Sequence, residues 1–150
     1  MAEDAELIEA SLLALAESGI EIRHRLFDRF FDAFPDRRKD FLAREATTIR
    51  MTDETLQILY GLAGEEPWVW PLVAELVATH RSYGRLPLAE YDGFVDLLVA
   101  ELGEVLGERW TSATAAAWQR QAERLKAMIA EATAEWDRVL PRAAGAQALS

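Results

Sequence analysis

An all-α fold is what this sequence predicts, and three observations predict it. Apolar residues recur at helical spacing along almost all of the 150 residues, so that one face after another can be buried. No stretch alternates apolar and polar residues with β-branched enrichment between turn residues, as a half-buried strand does. Breakers at Ser18-Gly19, Pro35, Gly64 to Pro67, Ser82 to Gly84 and Gly107 divide the chain into six segments, and with a short helix opened by Pro35 about seven helices are expected.

The first helix is expected from about residue 3 to 17, with Ile8, Leu12 and Leu15 inward and early acids complementing the helix dipole. Ser18-Gly19 is its stop signal. The second begins near Ile20 and presents Leu26, Phe27, Phe30, Phe31 and Phe34. Pro35 disfavours helical geometry at Phe34 and suits the first position of a new short helix, so the chain turns there. From Leu42 to Ile49 the pattern is polar and irregular, and Ile49, Leu56, Leu59 and Ala63 then form another inward stripe.

Pro67 and Pro71 are tolerated only near a helix start, which places the next helix from about Pro71 to Thr79 or His80. Pro87 opens the following one, whose wide apolar face comprises Tyr91, Phe94, Val95, Leu98, Leu102 and Val105, and Gly107 ends it. Thr111 or Ser112 caps the last helix. There Trp118, Ala122, Leu125, Ile129, Ala132, Trp136 and Val139 repeat at three- and four-residue spacing. At about 1.5 Å per residue, residues 112 to 140 span roughly 43 Å. The tail over 141–150 has few packing groups and is expected to fray.

Length and 51% hydrophobic content suit one domain over residues 1–150, its core at about 5–138. The absence of cysteine excludes disulfides, thiolate metal sites and cysteine nucleophiles. The acidic start and the lack of a long apolar run give no sign of a signal peptide or membrane span, so the expected location is cytoplasmic. A net charge of −10 disfavours nucleic acid and anionic membranes as partners. No Gly-x-Ser-x-Gly elbow, His-Glu-x-x-His helix or phosphate-binding loop is present.

His80 is one of two histidines, and it shares a helical face with Leu76 and Val73. For a lone histidine in such a place a structural role is the commoner one. Its neighbourhood points further, because a haem site needs one axial nitrogen, a large apolar slot and an aromatic wedge. Leu56, Val73, Leu76 and Leu98 are candidates for the slot and Phe41 for the wedge. His24 is expected at the surface.

Phe27-Asp28-Arg29-Phe30-Phe31 before Pro35, Phe41 six residues after that proline, His80 followed by Tyr83-Gly84 and Pro87, and then Trp118 form an ordered set. In this order the chain resembles the bacterial single-domain globins and the globin module of flavohaemoglobins, over roughly residues 5 to 138. The resemblance implies a globin fold packed around a haem b pocket, with His80 as the iron's protein ligand and Phe41 against the porphyrin. It also implies reversible binding of a diatomic gas: oxygen, carbon monoxide or nitric oxide.

The distal side departs from the flavohaemoglobin pattern. That pattern has a tyrosine eight residues before the proline; here the position is Phe27, which has no hydroxyl to donate. The family's distal glutamine or histidine falls at Met51 or Thr52. Oxygen retention is therefore expected to be weak. If His80 donates to the Leu76 carbonyl its imidazole stays neutral; if Glu90 or Glu123 reaches it, peroxidase-like or dioxygenase chemistry becomes easier. Tyr91 is expected near the site. Arg81 and Arg85 are candidates to pair with the haem propionates, with Arg44 and Arg50 as alternatives. Sustained redox turnover would need an external reductase, since no nucleotide-binding fingerprint is present. The alternative is a haem-free or sensory globin-like interaction module, and the long last helix would suit a homodimer.

Overall fold

The computed structural model describes the backbone of residues 2–149 and the side chains of residues 3–139. Among these, all regular structure is helical. Six α-helices follow in order: α1 (Ala2–Ser18), α2 (Arg23–Ala33), α3 (Arg44–Ala63), α4 (Val69–His80), α5 (Leu88–Leu106) and α6 (Ser112–Leu149). Short 3-10 segments occupy Pro35–Asp40, Arg81–Tyr83 and Gly107–Arg109. The all-α expectation holds, and the segment opened by Pro35 is a 3-10 turn.

The long α6 is the central element, packing against α1, α3, α4 and α5, while α2 lies across α5. Its start is set by the Thr111 hydroxyl, which accepts the Thr114 backbone N–H at 3.1 Å and so satisfies one of the helix's orphan donors. Its inward stripe runs from Trp118 through Ala122, Leu125 and Ile129 to Ala132, all buried. The stripe ends there: Trp136 is half-buried and Val139, expected inward, is 60% exposed. The backbone is helical through Pro141 to Leu149, where the sequence leads one to expect a frayed tail. Residues 142–149 include four alanines, the strongest helix former.

Two boundaries move for identifiable reasons. Helix α3 starts at Arg44 rather than near Ile49, because the inward positions of its first half are threonines. Thr48, Thr52 and Thr55 are all buried. The Thr48 hydroxyl donates to the Glu45 carbonyl at 3.1 Å and that of Thr55 to the Met51 carbonyl at 2.7 Å, so these side chains serve as inward groups without stranding a donor. Helix α4 starts at Val69, which puts Pro71 in the first turn, where no backbone N–H is needed. The stops fall as expected: Gly19 and Gly107 have φ of +67° and +53°, conformations that glycine adopts without strain.

The core joins all six helices, with Ile8, Leu26, Ile58, Leu59, Leu98 and Trp118 fully enclosed. Helix α1 is held to α6 by a buried charge as well. The Asp4 carboxylate accepts from Arg120 Nη2 at 2.6 Å and Nε at 2.9 Å, and from Gln121 Nε2 at 2.8 Å. The Arg120 hydrogen bond holds the Asp4 carboxyl below its ordinary range, against the opposing effect of burial. A depressed folded-state pKa stabilises the fold above the ordinary carboxyl value of 3.8, and that stability is lost as pH falls through the lower folded value. Asp4→Asn is therefore expected to lower the melting temperature at neutral pH and to flatten its dependence on pH below 4. An acid limb as steep as that of the wild type would contradict this.

Candidate functional site

A cavity of about 300 Å³ opens between α3, α4, α5 and α6, with the Pro35–Asp40 turn at one edge. That volume lies at the lower end of the range for small-molecule sites. Phe30, Ile58, Phe94, Val95, Leu125 and Ile129 make an apolar interior. Arg50 and Glu75, both exposed, and the half-buried Glu54 bring charge to the wall.

His80 lines this cavity from the last position of α4, half-buried. Its Nδ1 lies 2.8 Å from the Leu76 carbonyl oxygen. A carbonyl only accepts, so Nδ1 is the donor, and in the neutral form of such a ring the lone pair lies on Nε2. Among the described residues nothing hydrogen-bonds Nε2. The Tyr91 ring stands edge-on to the imidazole, with centroids 5.6 Å apart and planes at 65°. Burial pushes the Tyr91 hydroxyl up to about 12, so it keeps its proton at any physiological pH. The two carboxylates weighed as imidazole partners are engaged elsewhere. Glu90 accepts from Arg37 Nε at 2.8 Å, and Glu123 accepts from Gln119 at 2.8 Å and Lys126 at 3.2 Å. His24 is exposed and meets Glu21 at 3.1 Å, as a surface histidine.

His80, Phe41, Met51, Leu76 and Tyr91 of the residues singled out in the sequence meet at the cavity, together with Arg50 and Glu90. Phe41 reaches it because the 3-10 turn after Pro35 swings the chain round. Its ring then packs edge-on against Phe31 at 4.9 Å and Phe27 at 5.5 Å.

Other expected residues are not on the wall. Phe27 is enclosed by Phe30, Phe31, Phe41 and Phe94, so its ring belongs to the core behind Phe41. Val73 and Leu98 are fully buried in that core, and Leu56 packs against it half-buried. Thr52 is buried away from the cavity with its hydroxyl unpartnered. That leaves Met51 as the one of the two distal candidates that faces the space.

The four basic candidates also separate. Arg81 and Arg85 both bind Asp137 of α6, at 3.1 Å and 2.6 Å, and pin the chain after His80 to the last helix. Neither lines the cavity. Arg44 lies over the Phe31 ring, 5.0 Å from its centroid. Arg50 does line it.

Sequence reasoning passed over Thr47, Glu54, Thr55 and Ile58, which α3 contributes to the wall alongside Met51. Their three- and four-residue spacing is that of one helical face. It is legible once the helix is started at Arg44. Leu125 and Ile129 were read as core of the last helix; they also form part of the cavity wall.

Among the described residues no group of three or more histidine and acidic side chains could hold a metal ion. Also among them, no helix is long and apolar enough to cross a membrane. No protein-family model matches the chain, and no curated protein matches it at a significant level.

Proposed function

We propose that this chain is a globin that binds haem b through His80 and takes up a diatomic gas. The observation that carries the reading is the state of the imidazole. Nδ1 is committed to the Leu76 carbonyl, and the uncommitted Nε2 belongs to a ring that lines an apolar, aromatic-edged cavity. The residues present fit the group: one neutral nitrogen donor, Phe41 as a ring on the wall, and an interior of aliphatic and phenylalanine side chains that excludes water. Haem bound here would be held by His80 and would supply the iron that takes up oxygen, carbon monoxide or nitric oxide.

This chain's residues orient and tune that site. The Leu76 carbonyl orients the ring, and among the described residues no carboxylate hydrogen-bonds the imidazole, which favours reversible binding over peroxidase-like chemistry. On the α3 side, Met51 has a thioether that does not donate and Thr55 has its hydroxyl committed to the Met51 carbonyl. Phe27 has no hydroxyl. Met51 and Phe27, the residues the resemblance puts beside bound gas, give oxygen little hydrogen bonding, a contribution of about 1–3 kcal/mol where a strong donor exists. Oxygen is therefore expected to dissociate roughly ten- to a hundredfold faster than from a globin with such a donor. Flash photolysis or stopped-flow mixing measures this, and slow release would contradict it. Sustained redox turnover would draw electrons from a separate reductase.

Titration of the purified protein with haemin tests the reading. It predicts a Soret band that grows to an endpoint near one haem per chain. Failure to form a saturable complex would contradict it and favour a haem-free interaction module.

A further inference from the structure

The chain is acidic, and its described arginines nearly all face carboxylates. Arg29 meets Glu101, Arg85 meets Asp137 and Arg120 meets Asp4, each at 2.6 Å. Two arginines line the cavity. Arg37 is already bound to Glu90 at 2.8 Å and Asp40 at 3.3 Å. Arg50 is exposed, and no carboxylate among the described residues lies within ion-pair distance of it, including Glu54 one turn further along α3.

We infer that Arg50 is the carboxylate-binding residue of the cavity, the group that receives the propionates of bound haem; this rests on the haem reading above. A carboxylate cannot enter the apolar interior without a partner, so an amphipathic occupant must turn its acidic edge outward. On the wall, Glu54 and Glu75 repel that edge, and the Arg37 guanidinium is bound by two acids. Arg50 offers a planar, uncompensated guanidinium suited to bidentate contact with a carboxylate. Arg81 and Arg85 are held by Asp137 away from the wall.

The test compares haemin with haemin dimethyl ester, whose propionates carry no charge, on the wild type, Arg50→Glu and Lys39→Glu. Lys39 is exposed and off the cavity wall, so its replacement makes the same charge change elsewhere. Arg50→Glu is expected to weaken haemin binding by about tenfold or more, with little effect on the ester. Lys39→Glu is expected to stay within about twofold for both, since its side chain is exposed off the wall, where solvent and salt screen it. Arg50→Glu should melt like the wild type without haemin, because Arg50 makes no ion pair to lose. Equal weakening of haemin and ester, or equal effects of the two variants, would overturn the assignment. Wild type that binds haemin while Arg50→Glu binds it equally well overturns this inference alone; wild type that binds neither compound removes the haem reading itself.

Discussion

His80→Ala should abolish stable haem retention while leaving the protein folded. The substitution removes the one imidazole on the cavity wall. Losing only the outer partner of a metal-bound histidine costs roughly 10–100-fold, so loss of the ligand itself is expected to exceed that in haemin affinity. The fold should lose only about 1 kcal/mol, since His80 is half-buried and makes one hydrogen bond, to Leu76. Imidazole added at millimolar concentration should restore a Soret band, because the truncated side chain leaves room for it. Haemin titrations with and without imidazole, alongside a thermal melt, separate these effects. Unchanged haem affinity in the variant would assign the iron to another group.

Phe27→Ala should cost about 3–5 kcal/mol of stability, the usual range for deleting an enclosed aromatic ring. The ring is 3% exposed and stands 5.3 to 6.1 Å from the rings of Phe30, Phe31, Phe41 and Phe94. Deleting it would leave a void and loosen Phe41, whose position on the cavity wall depends on that packing. Phe41→Ala should show the converse balance, a smaller loss of stability and a larger loss of haem affinity, because its ring is half-buried and faces the cavity. Chemical denaturation of both haem-free variants measures the difference. A cost below about 1 kcal/mol for Phe27→Ala would mean that the aromatic cluster is not a principal part of the core.

What the sequence reveals of this structure follows the physics of each element. Helices α1, α5 and the first part of α6 were legible, because most of their inward positions are aliphatic or aromatic and their ends carry Ser18-Gly19, Pro87, Gly107 and Thr111, whereas α2 starts at Arg23 rather than near Ile20. The first half of α3 was not, because its inward side chains are threonines, and the hydroxyls of Thr48 and Thr55 bond to the helix's own backbone. That loss hid one wall of the cavity. His80 and its Leu76 partner could be foreseen from i to i−4 spacing alone. Whether Phe27 or Phe30 reaches the cavity depends on the rotation of α2 against α5, which periodicity within α2 does not contain. The choice among Arg44, Arg50, Arg81 and Arg85 likewise depends on Asp137, a partner more than fifty residues away from Arg81.

The absorption spectrum of the dithionite-reduced, haem-loaded protein before and after carbon monoxide bears most directly on the central proposal, that His80 would hold a haem iron able to take up gas. A broad pentacoordinate ferrous Soret band that sharpens and shifts on carbon monoxide, and is lost in His80→Ala, is the expected result. A ferrous spectrum that does not respond to carbon monoxide, or that His80→Ala leaves unchanged, would contradict it.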